Sequence, residues 1–464
     1  MNRRTFLQRV GLASLALPAW AKAAATPDRK PNIVYIIADD LGYGDLGCYG
    51  QTHFKTPHID RLAAEGLKFT QHYAGSTVCA PSRCVLMTGL HTGHSYVRGN
   101  KEHNPVGQEP IPAGTVTVAK RLKEAGYATG AFGKWGLGYP GSDGDPVRQG
   151  FDEFFGYNCQ RNAHRYYPDH LYHNEKRVDL DGKTYSHTLI MARALDFIRR
   201  NKDRPFFCFM PVTIPHAAMQ APEKYVAPFR KQFSQFADTV GKYAGTQTKN
   251  PVAAFAGMVT ALDEGVGQVL DLLAELGLDE QTIVTFTSDN GPHHEGGHKP
   301  KFFDSNGPLK GFKRDLTEGG IRVPMLARWP GRIRPGTTTD HISGFQDVLP
   351  TLCDLAGTAA PDGIDGLSLV PTLLGQPDRQ KQHAYLYWEF YPYGGKRAAR
   401  KGRWKAIQHG LQKKPPGPIR LFDLADDLGE TRDVAGDHPE VVAEMKRIFA
   451  EAHTPSKIWT FRGL

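Results

Sequence analysis

Short apolar runs rich in β-branched residues alternate with longer amphipathic stretches through most of the chain. Residues 31–38 form the first apolar run and predict a buried strand. Three more strands are predicted at residues 127–132, 205–210 and 282–287, after stretches of helical periodicity at residues 115–125, 186–199 and 253–276. This order predicts an α/β fold with a large, mostly parallel sheet flanked by helices.

Polar residues follow each of these strands. Asp39 and Asp40 end the first strand, and Asp289 and Asn290 follow the last. Sites in such folds collect at the carboxyl ends of the strands, so we expect these four side chains to meet. They offer only oxygen ligands, which favour a hard cation, calcium or magnesium. Taken alone, each pair is equally consistent with an ordinary turn.

The last part of the chain has a different pattern. Residues 383–391, 404–408 and 420–424 predict antiparallel strands, and residues 439–452 predict an amphipathic helix that packs on them. A polar stretch at residues 375–382 marks the boundary. We therefore expect a catalytic domain at residues 30–375 and a smaller C-terminal α+β subdomain at residues 380–464.

The N-terminal residues have the pattern of an export signal. Arg3 and Arg4 precede an apolar stretch at residues 10–20 and then several small residues, which is typical of a twin-arginine signal peptide at residues 1–23. About twenty apolar residues are needed to span a bilayer, so this stretch is too short for a stable anchor. We expect a periplasmic or extracellular protein without stable membrane insertion.

Charge and cysteine content exclude several classes of protein. The net charge of +9 falls to +5 without the four basic residues of the signal, which suits an anionic substrate. The single basic cluster, at residues 396–405, fits a solvated hairpin edge better than a nucleic-acid interface, so no nucleic-acid partner is expected. The six cysteines have no CxxC spacing, which argues against a disulfide framework and a thiolate zinc site.

One cysteine lies in a specific motif. Cys79-Ala80-Pro81-Ser82-Arg83 and Thr88-Gly89 fit the spacing C-x-P-S-R-x-x-x-x-T-G, which resembles the signature of the sulfatase family. Pro81 suits the first position of a helix through Met87, which would place Cys79 beside the anion-binding end of its dipole. The alternative is a buried structural cysteine, which the matching neighbours disfavour.

The resemblance implies a covalent modification of Cys79. In sulfatases a formylglycine-generating enzyme oxidises this cysteine to 3-oxoalanine, also called formylglycine. The hydrated aldehyde offers one hydroxyl to attack sulfur and a second whose deprotonation expels sulfate. The resemblance also implies one calcium ion held by Asp39, Asp40, Asp289 and Asn290 together with the modified Cys79, an alkaline-phosphatase-like fold, and Asp289 as acceptor of the attacking hydroxyl's proton.

Four further residues match family positions. Arg83 would hold the diol, Lys134 lies in a Gly-Lys-Trp segment, and Lys313 precedes the family element at residues 318–324. His216 matches the histidine that acts with a lysine near the leaving oxygen. The resemblance thus implies that Arg83, Lys134, His216 and Lys313 are catalytic and that the two lysines and His216 bind the sulfate group. Lys310 is equally consistent with a surface or a substrate role.

This sequence departs from the family at one position. Most relatives place a histidine where this chain has Gly136, and that histidine is assigned to deprotonating the diol. The elimination base is therefore open, although nearby histidines offer substitutes at positions 91, 94, 293, 294 and 298.

The predicted substrate is a sulfate ester of a small molecule or oligosaccharide, most consistent with a sulfated carbohydrate. Arg98, Asn100 and His298 lie in predicted loops and are candidates to bind it, but each is as consistent with local packing. Two other functions remain open: a phosphonate or phosphate monoester hydrolase of the same superfamily, and an exported glycan-binding protein that has lost turnover, which Gly136 suggests.

Overall fold

The computed structural model describes residues 30–464, so the predicted signal peptide lies outside the described residues. In this described part of the chain, seventeen strands form three sheets. The strands are β1 (Asn32–Ala38), β2 (Leu67–Tyr73), β3 (Ala128–Lys134), β4 (Glu153–Tyr157), β5 (His170–His173), β6 (Lys176–Asp179), β7 (Phe206–Pro211), β8 (Val240–Tyr243), β9 (Thr246–Lys249), β10 (Thr282–Ser288), β11 (Arg322–Arg328), β12 (Thr337–Thr339), β13 (Ser343–Gly344), β14 (Leu386–Phe390), β15 (Lys396–Lys401), β16 (Trp404–His409) and β17 (Ile419–Asp423).

Within residues 30–464, eleven α-helices accompany these sheets. They are α1 (Pro57–Ala64), α2 (Cys79–Thr88), α3 (Val118–Glu124), α4 (Ser186–Arg200), α5 (Glu223–Gln232), α6 (Pro251–Glu275), α7 (Pro300–Phe303), α8 (Glu318–Ile321), α9 (Val348–Leu355), α10 (Val370–Leu373) and α11 (Pro439–Glu451). Among residues 30–464, no helix has the length and apolar character needed to cross a membrane.

The large sheet has the order β12-β2-β11-β10-β1-β7-β3-β4-β5-β6, and β13 also pairs with β2. Its centre, from β10 to β4, is parallel, whereas β11, β5 and β6 run antiparallel to their neighbours. The mixed, mostly parallel sheet confirms the predicted fold class. In β1 and β10, Ala38 pairs with Ser288, so the polar residues that follow both strands emerge at one edge.

Both faces of this sheet are buried. Along β1, Val34 and Ile36 pack with α4 and α6 on one face, whereas Ile33, Tyr35 and Ile37 pack with α2, α3 and α9 on the other. Burial on both faces explains why the strands are continuous apolar runs.

The smaller sheet is antiparallel, in the order β14-β15-β16-β17. One face packs against Val78, Leu316 and Ile321, next to the large sheet, and the other packs against α11. The predicted strands and C-terminal helix are confirmed, but β15 was not predicted. The expected solvated edge at residues 396–405 is wrong for Lys396, Arg400 and Lys405, which are buried because β15 and β16 lie inside the sheet.

A buried ion cluster joins the two sheets. Lys405 on β16 is fully buried, and its Nζ lies 2.8 Å from Glu318 Oε1 and 3.0 Å from Glu430 Oε1. Glu430 Oε2 also accepts from the backbone N–H of Glu318 at 2.7 Å. Because α8 follows the loop that carries Lys313, this cluster fixes the small sheet to the edge of the large sheet that carries the polar residues.

Removing Lys405 should therefore destabilise the protein. Lys405→Ala leaves the buried Glu430 without its cation and Glu318 with Arg322 as its remaining cation, and we expect a loss of about 3–5 kcal/mol in the free energy of unfolding. Chemical denaturation followed by tryptophan fluorescence measures this. Arg403→Ala, which removes an exposed ion pair with Asp423 on the same hairpin, is the control and should leave the midpoint nearly unchanged. Equal midpoints for the two variants would contradict the structural role of the cluster.

Candidate active site

Cys79 begins α2 and lies at the carboxyl edge of the large sheet. The helix starts two residues earlier than predicted, so Pro81 is its third residue. The backbone N–H of Ala80 donates to Asn100 Oδ1 at 3.2 Å, which satisfies one free donor of the first turn. Cys79 is 2% exposed, and its Sγ donates to Gln160 Oε1 at 2.8 Å. Burial raises the pKa of the thiol, so it stays protonated.

The four predicted metal ligands lie together at the ends of β1 and β10, and all are buried. Asp289 Oδ1 accepts from the backbone N–H of Asp40 at 3.1 Å. Asn290 Nδ2 donates to Asp40 Oδ1 at 2.7 Å. Ligand atoms of Asp39, Cys79 and Asp289 lie within 4.8 Å of one another. The sequence-predicted carboxylates and the signature cysteine therefore form one cluster.

Arg83 connects the signature helix to this cluster. Its Nη2 lies 2.8 Å from Asp289 Oδ2 and 3.6 Å from Asp39 Oδ2. Its Nη1 donates to the backbone carbonyl of Lys134. One guanidinium thus contacts residues from the ends of β10, β1 and β3, which fixes α2 over the sheet edge.

Two lysines and a histidine complete the cluster. Lys134 Nζ lies 2.6 Å from Asp39 Oδ2, and Lys313 Nζ lies 2.8 Å from Asp40 Oδ2. His216 Nε2 lies 3.0 Å from Lys313 Nζ and 3.2 Å from Asp40 Oδ2. Three cations therefore balance three carboxylates in a buried site.

The electrostatics of the cluster indicate that it can take additional positive charge. Burial, and then the charge of Asp39, raise the pKa of Asp289 to about 7, although Arg83 lowers it. Burial also acts to raise the pKa of Asp39, but Lys134 and the other nearby cations outweigh it and bring the pKa to about 2. Asp289 is thus hard to ionise, whereas Asp39 beside it is fully ionised. A bound cation would stabilise the ionised form of both carboxyls.

Two oxygen atoms of the cluster have no partner. Asp39 Oδ1 and Asn290 Oδ1 are buried, and neither makes a hydrogen bond to any residue in the described range 30–464. Buried oxygens without donors are costly unless something positive binds them. Carboxylate and amide oxygens are the ligands of calcium and magnesium, so the residues present fit such an ion.

The loop that carries His216 is held by groups that the sequence did not reveal. His216 Nδ1 donates to the carbonyl of Ala217, so Nε2 of the neutral ring accepts from Lys313. The hydroxyl of Tyr166 lies 2.7 Å from the carbonyl oxygens of Thr213 and His216. His164 stacks on His216 with ring centroids 4.4 Å apart. Tyr166 and His164 are distant from His216 in sequence, so no local pattern could indicate their contacts.

The three predicted substrate residues have different locations. Asn100 contacts the site, because its Nδ2 lies 3.7 Å from Cys79 Sγ. Arg98 instead donates to the carbonyls of Ser95 and Thr454 at 2.8 and 2.7 Å and holds the C-terminal segment. His298 is buried behind the site, with its ring 3.9 Å from Phe255. We do not retain Arg98 as a substrate residue, since its hydrogen bonds account for its position. Both ring nitrogens of His298 lack a partner within residues 30–464, so its role stays a prediction.

Three further candidates also have structural contacts. Lys310 Nζ donates to the carbonyl of Glu430 at 2.8 Å, next to the buried ion cluster. His91 and His94 lie with Asp365 beyond the far end of α2, beside a cavity of about 740 Å³. His91 Nδ1 accepts from the N–H of Gly93, so Nε2 of the neutral ring carries the proton and is not a metal ligand.

Comparisons with known proteins agree with this geometry. The Sulfatase family profile matches residues 31–358, and the profile for N-sulphoglucosamine sulphohydrolase, C-terminal, matches residues 310–454. Steryl-sulfatase of Mus musculus is 31% identical over 93% of this chain and 83% of its own length. N-acetylgalactosamine-6-sulfatase of Canis lupus familiaris is 34% identical over 78% of this chain and 69% of its own. The crystal structure of Ps i-CgsB in complex with k-i-k-neocarrahexaose has a TM-score of 0.76 and 29% identity, and covers 91% of this chain and 92% of that chain.

The chain therefore belongs to the sulfatase family and has the alkaline-phosphatase-like fold of that family. It is a sulfuric ester hydrolase. The predicted family and enzyme class are confirmed, and the purely glycan-binding alternative loses its support.

Proposed function

We propose that this sulfatase hydrolyses sulfate esters of carbohydrates, with formylglycine at position 79 and one bound calcium ion. The observation that carries this proposal is the position of Cys79 at the start of α2, within 4.8 Å of Asp39 and Asp289. The buried, protonated thiol is a poor nucleophile, which argues against chemistry at sulfur itself. Formylglycine, made by a formylglycine-generating enzyme, supplies a hydroxyl nucleophile instead.

Each charged residue has a defined role in this proposal. Lys134 and Lys313 bind oxygens of the sulfate group, and Arg83 orients the attacking group while keeping Asp289 in place. Asp289 accepts the proton of the attacking hydroxyl, and Lys313 with His216 delivers a proton to the leaving oxygen. Because three fixed cations already balance three carboxylates, a bound divalent cation would add net positive charge for the anionic ester.

Modification of Cys79 is the first prediction. Mass spectrometry of the peptide that spans residues 79–83 of active protein should show formylglycine in place of cysteine. Cys79→Ala should abolish sulfate release while the protein stays folded. Cys84→Ala, which alters a buried cysteine of the same helix, is the control and should retain turnover. Fully active protein with an unmodified thiol at position 79 would refute the mechanism.

The second prediction concerns the metal. We expect one calcium ion bound by Asp39, Asp40, Asp289 and Asn290, because two of their buried oxygens lack donors. After chelation, calcium should raise the melting temperature and restore activity more than magnesium, and metal analysis should give one ion per chain. Asn290→Leu should remove the thermal shift, whereas Asn250→Leu, which removes a helix-capping amide elsewhere, should lower the melting temperature but keep the shift. A clear preference for zinc would refute the assignment.

The carbohydrate substrate is supported by the relatives. One is an N-acetylgalactosamine-6-sulfatase, and a structural relative was crystallised with an oligosaccharide. The steryl-sulfatase relative shows that the fold also serves other alcohols, so the substrate class requires a direct test. We propose export through the twin-arginine signal, which would place the enzyme where extracellular glycans occur.

The third prediction separates these substrates. His216→Ala should lower turnover of N-acetylgalactosamine 6-sulfate by about 10²-fold or more, because a sugar alcohol needs a proton on leaving. The same variant should lower turnover of 4-nitrophenyl sulfate far less, since that leaving group needs little acid help. His409→Ala, at an exposed position on β16, is the control. Equal losses on both esters would mean that His216 does not assist protonation of the leaving group.

A screen for released sulfate tests the substrate class itself. It should include N-acetylgalactosamine 6-sulfate, carrageenan oligosaccharides and 4-nitrophenyl sulfate, together with 4-nitrophenyl phosphate. Turnover of the aryl ester with none of any sugar ester would contradict the carbohydrate proposal. Preference for phosphate over sulfate of the same alcohol would favour a phosphate monoesterase.

A further inference from the structure

Gln160 is a residue of the site that the sequence did not indicate. It follows β4, which pairs in parallel with β3 so that Tyr157 lies beside Lys134. This pairing brings Gln160 next to the Gly-Lys-Trp segment. The side chain is buried, and its Oε1 accepts from Cys79 Sγ at 2.8 Å.

The space that Gln160 occupies depends on Gly136. A Cβ atom at position 136 would lie 2.6 Å from Gln160 Nε2 and 3.2 Å from Gln160 Cγ. The backbone of Gly136 also has φ +83°, a conformation that favours glycine. Any side chain at position 136 would therefore push the amide of Gln160 away from Cys79. Gln160 can take this position only if residue 136 is glycine.

The second polar atom of the amide is free. Gln160 Nε2 is buried, and none of residues 30–464 accepts a hydrogen bond from it. Buried donors without acceptors are rare in folded proteins and need an explanation such as an absent ligand. Here the donor borders the nucleophile, so an oxygen of the reacting groups is the acceptor that fits.

We propose that Gln160 orients the catalytic hydroxyl at position 79. This inference rests on the proposed function, because that hydroxyl exists only after Cys79 is modified. Cys79 Sγ stands in for a hydroxyl oxygen on the same Cβ. Gly136 thus leaves the space that Gln160 needs, and it is not a sign of lost turnover.

The chemistry of an amide limits its role to positioning. An amide oxygen is a hydrogen-bond acceptor but not a base at neutral pH, so Gln160 holds the hydroxyl hydrogen without removing it. The proton that leaves during turnover goes to another group of the site. Orientation of this kind acts on the reacting state more than on substrate binding, so its loss should lower kcat more than it raises KM.

Gln160→Met tests the hydrogen bond, since methionine has similar length and no amide. With N-acetylgalactosamine 6-sulfate and 4-nitrophenyl sulfate as probes, we expect kcat to fall about 10²-fold, with KM changed by less than about 3-fold. Each kcat is divided by the formylglycine fraction from mass spectrometry, so that poor maturation is not read as poor catalysis. Melting temperature serves as the test of folding.

Gly136→Ala tests whether Gln160 needs the space beside residue 136. The added methyl group should displace the Gln160 amide and lower kcat, whereas Gly141→Ala should not. Gly141 has φ +78° and no atom within 4 Å of an added Cβ, so it shares the backbone strain without the contact. The double variant Gly136→Ala/Gln160→Met should be no slower than Gln160→Met alone, because both changes remove one hydrogen bond.

Four outcomes would overturn the inference while the wild-type protein releases sulfate. The first two are an unchanged kcat in Gln160→Met and a change in that variant that affects KM alone. The third is an equal fall of kcat in Gly136→Ala and Gly141→Ala. The fourth is a double variant in which the two falls of kcat multiply. If Gln160→Met fails to fold, the comparison of the two glycine variants still tests the inference. A wild-type protein that carries formylglycine and releases no sulfate from any probe would instead refute the proposed function.

Discussion

The contact of Arg83 with Asp289 and Asp39 is the interaction on which the site depends. A guanidinium from α2 reaches the carboxylates that follow β10 and β1, at 2.8 and 3.6 Å, and also binds the carbonyl of Lys134 at the end of β3. All of these groups are buried, so each charge is tolerated only because the others are present. The position of Cys79 over the sheet edge follows from this pairing, since Arg83 lies one helical turn beyond it.

The same constraint explains the composition of the site. Lys134 and Lys313 each pair with one carboxylate, and His216 receives a hydrogen bond from Lys313. In a buried cluster with balanced charge, an incoming cation and an incoming anion would compensate each other. A sulfate ester and a divalent cation therefore suit the cluster better together than either would alone.

The smaller sheet contributes to this arrangement from outside. Lys405 binds Glu318 and Glu430 in the interior, and Lys396 Nζ donates to the carbonyl of Arg314 at 2.6 Å. Arg314 follows Lys313, so the second sheet supports the loop that carries one of the two lysines proposed to bind sulfate. The burial of these basic residues reflects their place inside a sheet that is covered on both faces.

The sequence by itself determined the fold class, the strands that end in polar residues and the residues of the signature, because buried strands and motif spacing are local patterns. Asp39, Asp40, Cys79, Arg83, Asp289 and Asn290 were all predicted from them and lie together. Only the tertiary structure decided the rest. Gln160 reaches Cys79 because β4, which was not predicted, pairs with β3, and Arg98 turns toward Thr454, 356 residues away. Such contacts depend on strand order and on side chains distant in the chain, which periodicity and spacing do not encode.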